Sequence, residues 1–213
     1  MKYTFTLLFL LSLLVGCGTK KEQVNQELKN CINEDILNHI NNLQEFAEIE
    51  LTTKDNFDLF DSITKFENKL IFKNILKSKS KNDYKKLIND IGRNLISTQS
   101  INSIYDKNSF IAYTTENGLT TSVIYNNCPL KIIENEKSKR LAKSKDVFDK
   151  IMIKGYSDFV PEIEEYSELI DYKSDIERLL LTNLIYIYLD TSFWNIRQFP
   201  DLKEGDDGLF YEN

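Results

Sequence analysis

The segment Tyr172 to Phe193 constrains this chain more than any other. Ile176, Leu179, Leu180, Leu184, Ile187 and Tyr188 place apolar groups on nearly every side of it. A helix of that kind is stable only when other elements enclose it. Its most apolar run, Leu179 to Leu189 (LLLTNLIYIYL), is too short to cross a bilayer and carries Thr182 and Asn183. The run therefore predicts a central core helix and not a membrane span.

Amphipathic partners for such a helix are present on both sides of the middle of the chain. Val24, Leu28, Cys31, Ile32, Ile36, Ile40, Leu43 and Phe46 recur at three- or four-residue spacing, so a helix is predicted from Val24 to Leu51, with Cys31 on its apolar side. Thr52 to Asn56 breaks the pattern, with Asp55 or Asn56 placed as helix cap. A second helix is predicted from about Phe57 to Lys77, with Phe60, Ile63, Phe66, Leu70 and Ile75 on one face. The polar stretch Ser78 to Asn82 interrupts it, and a third follows from about Asp83 to Ser97, carrying Tyr84, Leu87, Ile88, Ile91 and Leu95. The short connection implies an antiparallel pair. Later, helix is predicted from Asn135 to Lys154, with Gly155 as its cap. Another helical region begins near Asp158, where Pro161 suits a first turn.

Between these blocks, Ser100 to Asn127 is rich in Thr, Tyr and Ile, which favour strands. Glu116-Asn117-Gly118 reads as a tight turn between Phe110–Thr115 and Leu119–Tyr125, and Ile101–Tyr105 adds a third strand. Cys128-Pro129 ends the run. The expected fold is thus α+β and mainly α: about five helices with a two- or three-stranded antiparallel β-meander in the middle. Residues 200–213 (PDLKEGDDGLFYEN) read as a loose acidic tail.

The amino terminus supplies an address. Met1-Lys2 is followed by a nearly uncharged stretch from Tyr3 to Val15, 13 residues long. A helix of that length rises only ~20 Å, short of the ~30 Å hydrocarbon core, so it reads as the hydrophobic part of a signal peptide. It ends Leu14-Val15-Gly16-Cys17, which resembles the lipobox of bacterial lipoproteins. The resemblance covers only the first 17 residues and leaves the remaining domain unassigned. It implies cleavage before Cys17, a diacylglycerol on the Cys17 thiol, and two or three acyl chains as the anchor. An ordinary signal peptide with a chance Cys after Gly16 is the plainer alternative. On the lipoprotein reading, residues 1–16 are the signal peptide, 17–22 the lipidated Cys and a short tether, 23–199 a single mostly helical domain and 200–213 the tail. Gly18 in place of Asp, and Lys20-Lys21 in place of an acidic run, favour an outer membrane facing the periplasm where the cell has two membranes.

The chain has 27 basic and 33 acidic residues, a net charge of −6. Loss of residues 1–16 removes Lys2 and no acid, leaving 26 against 33, or −7. An exported acidic domain is poorly suited to nucleic acid, and no such partner is expected. Cys31 and Cys128 remain after the anchor, and an oxidising compartment favours their pairing as a disulfide over two free buried thiols. Metal ligation by this pair is disfavoured because His39 is the only His.

No nucleophile, zinc, phosphate-loop or dinucleotide motif is present, so no catalytic residue, metal or cofactor is predicted. His39 reads as a surface residue. The acidic group Glu162, Glu164, Glu165, Glu168 and Asp171 lies on a helix, where Glu165 and Glu168 share a face and offer paired carboxylates; a solvated face is the simpler reading. Asp201, Glu204, Asp206 and Asp207 hint at a calcium loop without matching its spacing. Lysines between Lys77 and Lys86, and between Lys137 and Lys145, form basic stretches suited to head groups or to plain solvation. Phe193, Trp194 and Phe199 are candidates to anchor a partner, or belong to the core.

The resulting expectation is a membrane-anchored envelope lipoprotein that binds another envelope protein without catalysis, an immunity or inhibitor protein being its sharper form. The alternative is a hydrolase acting on peptidoglycan or glycans through carboxylates such as Glu165 and Glu168.

Overall fold

The computed structural model describes residues 22–42, 57–119, 123–124, 127–128, 130–131, 139–154, 159–192, 202–204 and 210–212. Its core is all-helical. The described helices are α1 (residues 22–42), α2 (Leu59–Phe72), α3 (Lys81–Gly92), α4 (Thr98–Ile104), α5 (Phe110–Glu116), α6 (Lys139–Lys154), α7 (Val160–Leu169) and α8 (Asp175–Ser192).

The helix apolar on all sides takes the central place its sequence demands. Every residue of α8 from Ile176 to Ile187 is buried. Around it, α2 packs on α8, α4 and α5, while α7 packs on α6, α3 and α8. Pro161 does sit in the first turn of α7. The α3–α7 approach is close at one point: a Cβ on Gly92 would lie 2.9 Å from Cγ1 of Val160.

Among the described residues the middle of the chain holds no β-meander, and the α+β class is overturned. Residues Ile101–Tyr105 and Phe110–Thr115, read as strands, fall largely in α4 and α5. The reason lies in the end signals. Ser97 Oγ accepts the Ser100 amide at 3.2 Å, and Ser109 Oγ accepts the Ala112 amide at 3.3 Å, so both serines are helix N-caps. Asn117-Gly118, read as a hairpin turn, ends α5: Gly118 has φ +66 and donates to Thr115 O at 3.0 Å. Ser62 on α2 adds an external cap, accepting the Ile111 amide at 3.0 Å. Burial follows the helices too, since Phe110, Ile111 and Ala112 are buried in succession where a strand would alternate. The strand pairing described is short and lies elsewhere. Leu202–Glu204 (β1) pairs antiparallel with Phe210–Glu212 (β2), within the stretch expected to be a loose tail.

Helix α1 runs antiparallel to α2. Asn33 Nδ2 donates to Asp58 Oδ1 at 3.2 Å, Leu59 N donates to Asn33 Oδ1 at 3.3 Å, and Lys29 lies 3.4 Å from Asp58. Asp58, rather than Asp55 or Asn56, caps α2, accepting the Phe60 amide at 2.9 Å. On another side of α1, Cys31 is bonded to Cys128 with Cα atoms 5.7 Å apart and a sequence separation of 97. A loop of that size is worth up to about 4.7 kcal/mol in the chain-entropy account.

Helices α2 and α3 end alike. Asn74 and Asn94 have φ of 56 and 53, in the left-handed region. Ile75 N donates to Leu70 O at 3.0 Å and Leu95 N to Asp90 O at 2.8 Å, the six-to-one bond of a Schellman cap. Both asparagines are exposed, so backbone strain governs their replacement. Asn94→Ala should lower stability by about 1 kcal/mol, and Asn94→Gly should change it by a few tenths. Urea midpoints at constant slope check this, and alanine equal to or above glycine would remove the left-handed cap from the account.

Candidate functional site

Two polar constellations meet around α8, one sealed and one open. The sealed one centres on Glu67, on the apolar face of α2 between Ile63 and Leu70 and fully buried. Arg178 of α8 donates to it through Nε at 2.6 Å, Lys79 lies 2.7 Å from its other oxygen, and Tyr84 of α3 donates to it at 2.5 Å. The Tyr84 hydroxyl is also 2.6 Å from that of Thr182, which lies 3.0 Å from Arg178 O. With the Tyr84 proton on Glu67, the single Thr182 proton serves the nearer acceptor, the Tyr84 oxygen, or the Arg178 carbonyl.

The electrostatics follow from that geometry. Burial pushes the Glu67 carboxyl up, but the bonds from Arg178, Lys79 and Tyr84 outweigh it and hold the group below its ordinary value. Burial, with the Glu67 charge, raises the Tyr84 phenol far above its usual range. Burial opposes the Arg178 charge, yet Glu67 and Asp175 at 2.6 Å hold the guanidinium more firmly protonated. No substrate reaches a carboxylate so enclosed, and this cluster is structural.

The open constellation is a cleft of about 990 Å³ between the first turns of α1, α2 and α8. Its three aspartates are engaged by the fold. Asp58 caps α2 and faces Lys29, Asp61 pairs with Lys65 at 3.0 Å, and Asp175 pairs with Arg178. Although burial raises the Asp58 carboxyl, Asn33, the Asp61 and Phe60 amides and Lys29 together hold it low. Neutral hydrogen-bonding groups line the same walls: Asn25, Gln26, Thr64 and Ser174. Asn25 Nδ2 donates to Ser174 Oγ at 3.1 Å, joining α1 to the turn before α8. Phe60, Ile176 and Leu179 form the apolar part of the lining. Such walls are suited to holding a polar ligand or peptide.

The residues singled out in the sequence distribute as follows. Cys31 and Cys128 are brought together as a disulfide. Asp35 lies beside them, but a disulfide sulfur is no thiolate ligand and Lys131 is 3.3 Å from the Asp35 carboxylate. Glu165 and Glu168 do not converge. Glu165 is bound by Lys150 of α6 at 2.7 and 2.8 Å, whereas Glu168 is bound by Lys81 and Lys85 of α3. They tie α7 to neighbours on two sides, and bonds from Lys81 and Lys85 lower the Glu168 carboxyl. Glu162 is buried and pairs with Lys154 at 2.5 Å. Several lysines of the two basic stretches likewise answer acids: Lys79 meets Glu67, Lys81 and Lys85 meet Glu168, Lys86 meets Asp90 and Lys145 meets Asp149. His39 is exposed on α1. Cys17, Phe193, Trp194, Phe199 and most of the acidic tail motif lie outside the described residues.

Sequence reasoning missed the sealed cluster and the cleft. The signal for the first was visible in part: Glu67 and Arg178 are opposite charges on faces that are otherwise apolar. Neither a protein-family model, nor a curated protein, nor a solved structure matches this chain.

A carboxyl lowered by folding contributes stability above its unfolded pKa and loses it as pH falls toward the folded value. The Glu67 contribution should therefore be complete above the ordinary value of 4.5 and decline below it. Glu67→Gln should cost about 3–5 kcal/mol at neutral pH, because Arg178 loses its buried counter-charge. It should also flatten the acid limb of the stability curve. Urea unfolding at stepped pH measures both, and an unchanged acid slope would assign the acid sensitivity to other carboxylates.

Proposed function

We propose that this protein is an envelope lipoprotein, anchored through Cys17, that binds another envelope protein without catalysing a reaction. The observation that carries the binding half is the cleft between α1, α2 and α8, whose aspartates are held by caps and ion pairs while neutral donors and acceptors face the opening. The anchoring half rests on the run Leu14-Val15-Gly16-Cys17 after an apolar segment. The net charge of −7 after cleavage supports a protein partner over nucleic acid. An immunity or inhibitor role is the narrower form of the same reading. The location that fits is the periplasmic face of an outer membrane, where the cell has one. The hydrolase alternative gains no support from Glu165 and Glu168, which are held apart by lysines of different helices.

No described helix is long and apolar enough to cross a membrane, so on this reading the lipid alone provides attachment to the bilayer interior. Cys17→Ser should shift the protein from the membrane to the soluble fraction. A pull-down from gently solubilised membranes should recover one stoichiometric partner, and Gln26→Trp, which fills the cleft from an exposed position, should reduce its recovery at least tenfold. Membrane retention of the serine variant would contradict the anchor. Undiminished recovery with the cleft blocked would contradict the cleft as docking place.

A further inference from the structure

The end of the domain that follows Cys17 carries one more feature, outside the sealed cluster and sharing only Lys173 with the cleft. Phe72, the last residue of α2, is 80% exposed. Lys73 follows it with its ammonium 5.9 Å from the ring centroid, and Lys77 is exposed a turn further on. Among the described residues no acid lies within ion-pair distance of Lys73, Lys77 or Lys173, unlike most lysines of the neighbouring helices.

The antiparallel run of α1 and α2 sets where this tip lies. Asn33 meets Asp58, Lys29 stacks over Phe60 at 5.8 Å, and Glu22, Asn25 and Gln26 share the cleft with Asp61 and Thr64. Descending α1 toward its start therefore means ascending α2. Phe72 lies eight residues beyond Thr64, about 12 Å further at a helical rise, and so passes the first turn of α1. Four residues separate Cys17 from Glu22, five chain steps with a reach of at most about 18 Å. Lys173 belongs to the same end, since its neighbour Ser174 bonds Asn25.

We propose that the tip Phe72–Lys77, with Lys173 at the same end of the domain, is a second membrane contact that lays this end of the domain on a bilayer bearing anionic head groups. The inference rests on the reading of Cys17 as the anchor. An exposed aromatic ring flanked by cations is the composition that partitions into a membrane interface, the ring at head-group depth and the ammonium groups on phosphate. Tethering makes a weak contact effective, because the short chain holds the tip at the surface at high local concentration. A second copy of this chain is the competing occupant.

The test uses the mature protein with its disulfide intact, coupled through the unacylated Cys17 thiol to maleimide-bearing lipid in phosphatidylglycerol vesicles. Attachment then does not depend on what the cell does to Cys17, so this proposal and the anchor reading fail separately. Phe72→Trp is read as a difference spectrum against the unsubstituted protein, which cancels Trp194. On coupling, the added indole should shift to the blue and be quenched by brominated phospholipid. Lys73→Gln with Lys77→Gln should weaken the contact about fivefold per lysine, and phosphatidylcholine vesicles should weaken it likewise. An unshifted, unquenched indole would overturn the proposal. A blue shift that grows with protein density and is blind to brominated lipid would overturn it in favour of a second copy.

Discussion

Glu67 and Arg178 meet 2.6 Å apart where α2 crosses α8, and the arrangement of the central helices depends on that meeting. Apolar burial drives these helices together but is non-directional, and on a helix with apolar groups on nearly all sides it discriminates weakly between registers. A buried charge does choose. Turning or sliding α8 by one residue would leave Arg178 or Glu67 without its partner in a medium where an unpaired ion costs several kcal/mol. Tyr84 and Lys79 extend the constraint to α3 and the loop before it. The cluster is therefore a specificity device first and a source of stability second. Ion pairs on the outside, such as Lys150 with Glu165, contribute far less because water screens them.

With the register chosen, the open cleft follows. Its walls come from residues far apart in sequence, Asn25 and Ser174 being 149 positions apart. Arg178 serves both constellations: one side of its guanidinium holds Glu67, and the other holds Asp175 at the rim of the cleft. The disulfide acts on the same helix from another side. Cys31 lies two residues from Lys29 in α1, so the bond to Cys128 restrains the helix that forms one wall.

Much of this was legible in the sequence where one signal dominated. The all-round apolar run identified α8 as the centre, the three- and four-residue spacing located α2 and α3, Pro161 marked the start of α7, and the two Cys besides Cys17 suggested their bond. The middle of the chain was misread because composition was weighed above end signals. Ile, Thr and Tyr favour strands on average, yet Ser97 and Ser109 each stand three residues before the amide they cap, and Gly118 sits where a helix needs a left-handed residue. Asn-Gly serves a hairpin and a helix end equally well, and only the neighbouring caps decide between them. Asn74 and Asn94 carried the same message, each following a basic residue and preceding an aliphatic one. The cleft was illegible for a different reason, since it requires knowing that the starts of α1, α2 and α8 converge, which no local pattern records.

A double-mutant cycle on Glu67 and Arg178 reports most directly whether the buried pair governs the helical packing. Glu67→Met and Arg178→Met, singly and together, would be unfolded in urea at neutral pH. Each single substitution should cost about 3–5 kcal/mol by stranding its partner, and the double should cost no more than either single, a coupling of at least about 3 kcal/mol. Costs that simply add would mean the two side chains act independently, and the pair would lose its place at the centre of the fold.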